Sequence, residues 1–312
     1  IVTKTPNEPF FIAKRTIEAF KKQKYPYPYD IWIADEDPDL QTLEYASSNN
    51  IKISCRKGEV DYHNQSWPRR TKCKEGNLMF FYEKYGYQSY DIVCQFDIDH
   101  VPDENYLSNV IRNFSDPTVG YVACPSINSR GSENSWYARG RMNAECCVQG
   151  FVQLGYNEHH CPICIGSHYA IRTAALKSAG GIGPELAEDY STSAIINNAG
   201  WKGTFEINAI AIGDGPATFV DGITQEFQWS RSLMVIALKW RKIIMGEINF
   251  QKKLNLIYSL LWYPLVTFTM VLNIAIPLLA VMFNNSFARV DIVYFIFLLL
   301  LMEFPLTLSI RI

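Results

Sequence analysis

The sequence predicts an α/β protein whose sheet is mostly parallel and carries helices on both faces. Over the first 250 residues or so, short apolar runs typical of strands alternate with longer stretches of helical periodicity. Hydrophobic residues make up 48% of the 312 positions, enough for a substantial core. After this alternation, the chain becomes almost entirely apolar, which sets a second region apart.

Four strand and helix pairs come first in the predicted order. They are IVTK with a helix from Pro9 to about Lys22, DIWIAD with DLQTLEYASS, IKISC with EGNLMFFYEKYG, and DIVCQFDID with ENYLSNVIRNF. Then follow GYVACPS, a helix around Trp136 to Leu154, the run SHYAIR, a helix opening at AEDYSTSAIINNAG, and a late strand KGTFEINAIAIG. We find no internal repeat.

Acidic residues stand at the ends of two predicted strands. Asp35 ends the second strand, and Asp97 and Asp99 end the fourth, in CQFDIDHVPDENYL. In a parallel sheet ligands bind outside the carboxyl ends of the strands, so all three are expected to project into one crevice. Adjacent carboxylates repel unless a cation or ligand sits between them, although for Asp35 the DEDPD stretch equally fits a turn and helix start.

Charge and cysteine content narrow the class of protein. A net charge of −2 gives no case for nucleic acid as a partner. The eight cysteines are expected to be free thiols in a reducing compartment. A zinc site formed by Cys146, Cys147, Cys161 and Cys164 is the less favoured alternative, because only CPIC has ligand spacing.

Two apolar runs predict membrane helices. The run from Leu254 to Phe283 has no charged residue and exceeds the length that a bilayer core of roughly 30 Å requires. The run 292–310 is interrupted by Glu303 and Pro305, and Glu303 should face other helices, water or a polymer path. Basic residues precede the first span, at Lys239, Arg241, Lys242, Lys252 and Lys253, whereas the loop between the spans has only Arg289. The large N-terminal domain is therefore expected to be cytoplasmic, in an integral protein of the plasma or inner membrane.

Three regions follow from these patterns: a cytoplasmic domain at 1–223, an amphipathic interfacial segment at 224–253 and a transmembrane region at 254–312. In the middle segment Trp229, Leu233, Ile236 and Trp240 recur at helical spacing, which predicts a helix at the membrane surface with Trp240 as an anchor. The chain opens in strand-like sequence without Met, so we expect a fragment that has lost upstream membrane segments.

A series of short motifs resembles the processive, inverting family-2 glycosyltransferases of membranes, which include the cellulose, chitin and hyaluronan synthases. The motifs occur in one order: TPNEP, Asp35, KEGN at 74–77, DIDHVP at 97–102, IGS at 165–167, ED at 188–189 and QEFQW at 225–229. The resemblance covers nearly the whole chain and implies a GT-A-like, Rossmann-like fold.

On the donor side, the resemblance implies a UDP-sugar and Mg²⁺ or Mn²⁺ held by Asp97, Asp99 and His100, with Asp97 also toward the ribose. Hard oxygen ligands suit these ions, which neutralise the leaving diphosphate. Lys74 would pair with the diphosphate, and Asp35 would contact the uracil.

On the acceptor side, Asp189 matches the general base that takes the proton of the attacking hydroxyl. The same AEDYS sequence also fits an acid that only stabilises a helix N-terminus. The resemblance assigns Gly166, Ser167, Glu188 and Trp229 to the acceptor, with Trp229 as a stacking surface for a sugar ring. Ser167 and His168 are candidate acceptor contacts, and a buried strand end explains both nearly as well.

The QEFQW stretch departs from the family pattern, which reads Gln-x-x-Arg-Trp. Gln228 occupies the arginine position, so a cation expected to face the diphosphate is missing, and Arg231 is a candidate replacement. Gln225 would contact the nucleotide sugar, and together with Trp229 it belongs to the motif by which polymerising members hold their acceptor. The departure puts the sugar and the linkage in doubt.

The resemblance implies a membrane synthase that transfers a sugar with inversion from a UDP-sugar to a growing β-linked polysaccharide and helps to export it. It also implies accessory synthase subunits as partners. Two alternatives stay open: a non-processive transferase acting on a lipid carrier, and an inactive nucleotide- or glycan-binding subunit of a synthase complex. The lost arginine is the only hint of inactivity, whereas the intact Asp35, Asp97, Asp99 and Asp189 argue against it.

Overall fold

The computed structural model describes residues 1–5, 8–242, 246, 248–284 and 291–310, the last of these with side chains up to residue 301. Two residues of the TPNEP motif, the 285–290 part of the loop between the apolar runs and the side chain of Glu303 lie outside this description. The chain divides into two compact units, Ile1–Leu260 and Leu261–Ile312.

Unit 1 contains a sheet of seven strands and a small sheet of three. The strands are β1 Val2–Lys4, β2 Trp32–Asp35, β3 Lys52–Ser54, β4 Ile92–Asp97, β5 Val101–Pro102, β6 Val119–Ala123, β7 Ser126–Arg130, β8 His168–Arg172, β9 Lys202–Phe205 and β10 Ala211–Asp214. The large sheet has the order β3-β2-β1-β4-β8-β6-β9, and the small sheet has the order β5-β10-β7.

The helices of unit 1 alternate with these strands as predicted. They are α1 Phe10–Lys21, α2 Leu40–Ser48, α3 Lys74–Phe81, α4 Tyr106–Ile111, α5 Trp136–Cys147, α6 Thr173–Ser178, α7 Glu188–Asn198, α8 Phe219–Lys239 and the start of α9 Phe250–Met282. Two π-helical turns, Tyr82–Gly86 and Val148–Val152, extend α3 and α5, the latter into Gln153–Asn157. Short 3-10 turns occur at Val60–Tyr62 and Arg112–Ser115.

Helices cover both faces of the large sheet, because alternate strand residues point to opposite sides. On one face Val2, Ile33 and Phe96 pack with Ile17 of α1 and Val110 of α4. On the other face the core contains Val93, Tyr169, Leu78, Leu176 and Ile196, so α3, α6 and α7 lie there. The predicted α/β fold with a mostly parallel sheet is therefore confirmed.

Strand β8 runs against its neighbours and brings a new segment to the carboxyl edge of the sheet. It pairs antiparallel with β4, with His168 opposite Phe96, whereas β1 pairs parallel with both β2 and β4. The residues that precede β8, Gly166 and Ser167, therefore lie beside the end of β4. The backbone confirms this, since the Asp97 N–H donates to the Ser167 carbonyl at 2.7 Å.

The predicted late strand is wrong as a single element. KGTFEINAIAIG divides into β9 in the large sheet and β10 in the small one. Between them, the Ala209 N–H donates to the Glu206 carbonyl, and the Glu206 side chain accepts from the Asn208 N–H, so the chain turns. Apolar alternation continued across this turn and concealed it.

Helix α8 differs from the predicted interfacial segment in its bounds and in the partner of its apolar face. It begins at Phe219 because Thr218 and Asp221 form a capping box, and it ends at Lys239. Ile236 is buried with Leu233 and Trp240 against α7 and the start of α9. The Trp240 ring donates to Glu185 at 2.8 Å and lies against Trp67, so it is a packing residue, and the expectation of a membrane anchor is corrected.

The two apolar runs form helices close to the predicted bounds, Phe250–Met282 and α10 Ile292–Ile310. By length and composition the first is long and apolar enough to cross a membrane. In the second, the part with described side chains, Ile292–Leu301, is also apolar but shorter.

Candidate functional site

The carboxyl ends of β1, β2 and β4 lie side by side and carry polar side chains. In the strand register Lys4 is opposite Asp35, and Thr3 is opposite Asp97. The Thr3 hydroxyl donates to Asp97 Oδ1 at 3.2 Å. This edge is the location that an open parallel sheet offers to a ligand.

Lys74 connects the end of β4 with the start of α7. Its Nζ lies 2.6 Å from Asp97 Oδ1 and 3.6 Å from Glu188 Oε1, and it also donates to the Gly166 carbonyl. Burial lowers the pKa of Lys74, but the charges of Asp97 and Glu188 outweigh burial and raise it above the usual range. Lys74 is therefore a fixed cation between two acidic groups.

Asp189 lies beside the segment that precedes β8. Its Oδ2 accepts from the Gly166 N–H, and its Oδ1 accepts from its neighbour's N–H, that of Tyr190, at 2.7 Å. Burial raises the pKa of Asp189, although these two donors and Lys74 partly oppose the rise. A Cβ at Gly166 would stand 3.1 Å from Asp189 Oδ2, so glycine permits this close approach. A half-buried carboxylate with raised proton affinity is suited to accept a proton.

Glu188 is more deeply buried than its neighbour. Its side chain is 5% exposed, and its Oε1 forms an ion pair with Lys74 Nζ at 3.6 Å. Among the described residues, no donor forms a hydrogen bond with this oxygen. Burial raises the pKa of Glu188 to about 8, with a further contribution from Asp189 that exceeds the one from Asp97.

Asp99 and His100 form a pair beside the crevice. His100 Nδ1 lies 2.9 Å from Asp99 Oδ1. Burial of Asp99 favours its protonation, but the hydrogen bond and charge of His100, together with backbone hydrogen bonds, lower the pKa of Asp99. His100 Nε2 is 3.4 Å from the Ser126 hydroxyl, and a Cβ at Gly213 would clash with this ring. Both ring nitrogens of His100 thus have partners within the protein, and its place as a metal ligand stays a prediction.

A divalent cation fits the carboxylates at this strand end. The side chains of Asp97 and Asp99 are 39% and 33% exposed. The pKa of Glu8 is raised mainly by its burial and, to a smaller extent, by the charges of Asp97 and Asp99, so the three acids lie near one another. Within the described residues no group of three or more His, Cys, Asp or Glu forms a ready metal site. Asp97 and Asp99 would therefore hold the ion together with oxygen atoms of the ligand.

Asp35 occupies the predicted strand end but does not project into the crevice. Its Oδ2 pairs with Lys4 at 2.8 Å, its Oδ1 accepts from the Asp37 N–H at 3.0 Å, and the carboxylate is fully buried. The expected exposure is corrected on this point. The register of β1 with β2 could have identified Lys4 as the partner, had the order of the strands been known.

Ser167 shares the buried position of its strand end. Its side chain is buried, and its hydroxyl has no hydrogen-bond partner in the described part of the chain. The next residue, His168, is held between Tyr106 and the Pro125 carbonyl, and burial keeps its pKa well below the usual value. His168 is therefore a neutral core residue.

The residues of QEFQW lie on α8, which also carries Ser232. The Ala187 N–H donates to Ser232 at 2.9 Å, which fixes α8 against the residue before Glu188. Gln225 and Arg231 are exposed, and Trp229 is partly exposed. The guanidinium of Arg141, on α5, lies 4.4 Å from the centre of the Trp229 ring. The sequence carried no signal for Arg141, because it is brought to Trp229 only by helix packing.

Other features lie outside the crevice. A cavity at the opposite edge of the sheet is lined by residues that begin strands, among them Ile1, Trp32 and Ile92, and by none of the predicted site residues. All eight cysteines are free; Cys146 and Cys147 are exposed, whereas Cys161 and Cys164 are buried. The two pairs thus differ in exposure, and the preference for free thiols over a zinc site stays a prediction.

The sequence model of the family described as Glycosyl transferase family group 2 matches residues 92–309. Among curated relatives, the catalytic subunit of the UDP-forming cellulose synthase of Xanthomonas axonopodis pv. citri is 22% identical over 238 residues. That match covers 75% of this chain, which spans only 31% of the relative's length.

Solved structures share the fold. The mannosyltransferase PcManGT of Pyrobaculum calidifontis, in complex with GDP-Man and Mn²⁺, has a TM-score of 0.61 at 15% identity, over 83% of this chain and 68% of that one. S. aureus TarS 1–349, in complex with UDP-GlcNAc, has a TM-score of 0.51 at 15% identity, over 83% and 70%. The expected GT-A-like fold is thus confirmed.

Proposed function

The chain belongs to glycosyl transferase family group 2, and we propose that it transfers a sugar from a UDP-sugar to the nonreducing end of a growing β-linked polysaccharide. The observation that carries this proposal is the link that Lys74 makes between Asp97 and Glu188, next to Asp189. A donor-binding strand end and a base thus belong to a single crevice.

On the donor side, Asp97 and Asp99 would hold Mg²⁺ or Mn²⁺, which when bound supplies positive charge for the leaving diphosphate. Lys74 adds a fixed cation at the same strand end. PcManGT is in complex with GDP-Man and Mn²⁺, and TarS 1–349 is in complex with UDP-GlcNAc, which supports this assignment.

On the acceptor side, Asp189 takes the proton of the attacking hydroxyl as its oxygen forms the bond to the anomeric carbon. The bond from that carbon to the diphosphate oxygen breaks on the opposite face, and UDP leaves with the electron pair. One direct displacement inverts the anomeric centre. Gly166, Ser167 and Glu188 would surround the acceptor end, and Trp229 would stack on its sugar ring.

Membrane attachment is part of the proposal. Helix α9 has the length and apolar composition of a span, and α10 would be a second. On α8, apolar side chains are exposed at Ile223, Phe227 and Leu238, whereas Ile236 is buried. The exposed side chains, and not the face of Ile236, would therefore meet lipid. The catalytic domain would be cytoplasmic, and the spans would take part in export of the polymer.

The test supplies membranes containing the full chain with a panel of nucleotide sugars and measures the length and linkage of the product. We expect long chains from a UDP-sugar that are degraded by a hydrolase specific for one β-linkage. A single added sugar on a lipid would establish the non-processive alternative, and nucleotide binding without any transfer would establish an inactive subunit.

A further inference from the structure

One face of the Trp229 ring is covered by a charged side chain from another helix. The guanidinium of Arg141 lies 4.4 Å from the ring centre, a distance typical of a cation–π contact. Trp229 as a whole residue nevertheless remains 39% exposed. Arg141 thus covers one face of the ring and leaves the opposite face without a cation from the described residues.

Arg141 is held firmly in this position. Its Nε donates to Glu145 Oε1 at 2.9 Å, and its Nη1 donates to Glu226 Oε1 at 2.5 Å, with only 11% of the side chain exposed. Glu145 is held in turn by Asn128, whose backbone N–H and side-chain Nδ2 donate to it at 3.2 and 2.8 Å. Two carboxylates thus fix the plane of the guanidinium against the ring.

This arrangement defines what Arg141 can do. Its charge is balanced by Glu145 and Glu226, so it does not offer an unpaired cation to a diphosphate. Arg231 cannot do the work of Arg141 at the ring, since residues two positions apart on a helix point to different sides.

We propose that Arg141 is a positioning residue, which holds the Trp229 ring in one orientation and leaves a single face for the acceptor sugar. The inference rests on the proposed function, because it requires that Trp229 binds the acceptor. Without Arg141 the ring could rotate and present either face, so the end of the acceptor would meet Asp189 less often and water would take the sugar instead.

The test compares the full chain in membranes with the variants Arg141→Met, Arg141→Lys and Trp229→Ala, using the UDP-sugar that supports incorporation. For Arg141→Met we expect about a fivefold to tenfold rise in UDP released per sugar incorporated, and shorter products. The KM for the UDP-sugar should stay within about twofold, and Arg141→Lys should recover part of the loss. Arg139→Ala is the matched control, because Arg139 is on the same helix and exposed.

A spectroscopic measurement separates positioning from a general loss of structure. The difference in emission between each protein and its Trp229→Phe counterpart isolates Trp229 from the other tryptophans. We expect the isolated emission to shift to the red in Arg141→Met but not in Arg139→Ala, since the uncovered ring meets water.

Two results would overturn the inference in different ways. If Trp229→Ala shortens the product while Arg141→Met leaves length, coupling and emission unchanged, Arg141 does not position the ring, and the proposed function stands. If Trp229→Ala itself changes neither length nor coupling, Trp229 does not hold the acceptor, and the inference fails together with that part of the proposed function.

Discussion

Two pairs of acidic residues meet in the crevice, and the fold buries them to different depths. Asp97 and Asp99, at the end of β4, are 39% and 33% exposed, whereas Glu188, at the start of α7, is 5% exposed. His100 outweighs burial and lowers the pKa of Asp99, while burial raises the pKa of both Glu188 and Asp189. The pKa of a carboxyl group thus shifts downward at Asp99 and upward at the start of α7.

This difference teaches how one edge of a sheet can carry two tasks. At the strand end, His100 and backbone hydrogen bonds favour the ionised form of Asp99 against its burial, which suits a metal-bound anion. A helix start covered by α8 desolvates its carboxylates, which favours proton acceptance near neutral pH. Lys74 keeps both pairs in register, because it contacts one member of each.

The largest expected effect comes from removing the base. Asp189→Asn should lower the rate of sugar transfer by about 10²–10⁴-fold, since the amide cannot accept the proton of the hydroxyl. Rapid-quench measurement of sugar incorporation gives this rate, and calorimetric UDP affinity is the internal control. Equal losses of rate and of UDP affinity would assign the base to another residue.

The next effect comes from breaking the bridge between the pairs. Lys74→Met should weaken UDP-sugar binding by about tenfold or more, because a charge-assisted contact is lost. It should also move the acid limb of the pH–rate profile upward, since the charge that opposes the raised pKa of Asp189 disappears. The exposed Lys72, replaced in the same way, is the matched control. An unmoved acid limb would separate Lys74 from the base.

Glu188 allows the buried pair to be tested through stability. Its pKa is raised to about 8 in the folded chain from an ordinary value near 4.5. The raised value stabilises the folded state below the ordinary pKa, and this contribution is lost as pH rises through about 8. The Tm of Glu188→Gln should therefore decline less between pH 4.5 and about pH 8 than the Tm of the parent chain does. Parallel Tm profiles would mean that Glu188 ionises normally.

The smallest effect on UDP affinity is expected from a substitution of Asp35, which is buried in an ion pair with Lys4. Asp35→Asn leaves Lys4 unpaired, so it should lower the free energy of unfolding by about 3–5 kcal/mol. Because the carboxylate does not face the crevice, UDP affinity measured well below Tm should change less than about threefold. If Asp35→Asn weakens the affinity for UDP tenfold and leaves the affinity for inorganic diphosphate unchanged, Asp35 contacts the uracil.

The sequence predicted the elements that depend on local pattern. Asp97 and Asp99 follow an apolar strand, and Glu188 and Asp189 open a helix, so their places could be identified before their contacts were known. The ordered motifs linked them to one family, which the family match over residues 92–309 confirms.

The rest depends on tertiary packing. The antiparallel direction of β8, which brings Gly166 to Asp189, is not encoded in alternation of apolar residues. The pairing of Lys4 with Asp35 requires the strand order, and the contact of Arg141 with Trp229 requires the packing of α5 on α8. For the same reason the buried face of α8 looked like a membrane face, since an apolar stripe along a helix packs equally well against protein or lipid.

The most direct test of the divided roles measures UDP affinity by calorimetry with and without Mn²⁺ in the parent chain, Asp99→Ala and Asp189→Asn. The account predicts that Mn²⁺ strengthens UDP binding in the parent and in Asp189→Asn, and that this gain is lost in Asp99→Ala alone. A gain that persists in Asp99→Ala, or one that disappears in Asp189→Asn, would contradict the assignment of the strand end to the donor and of the helix start to the acceptor.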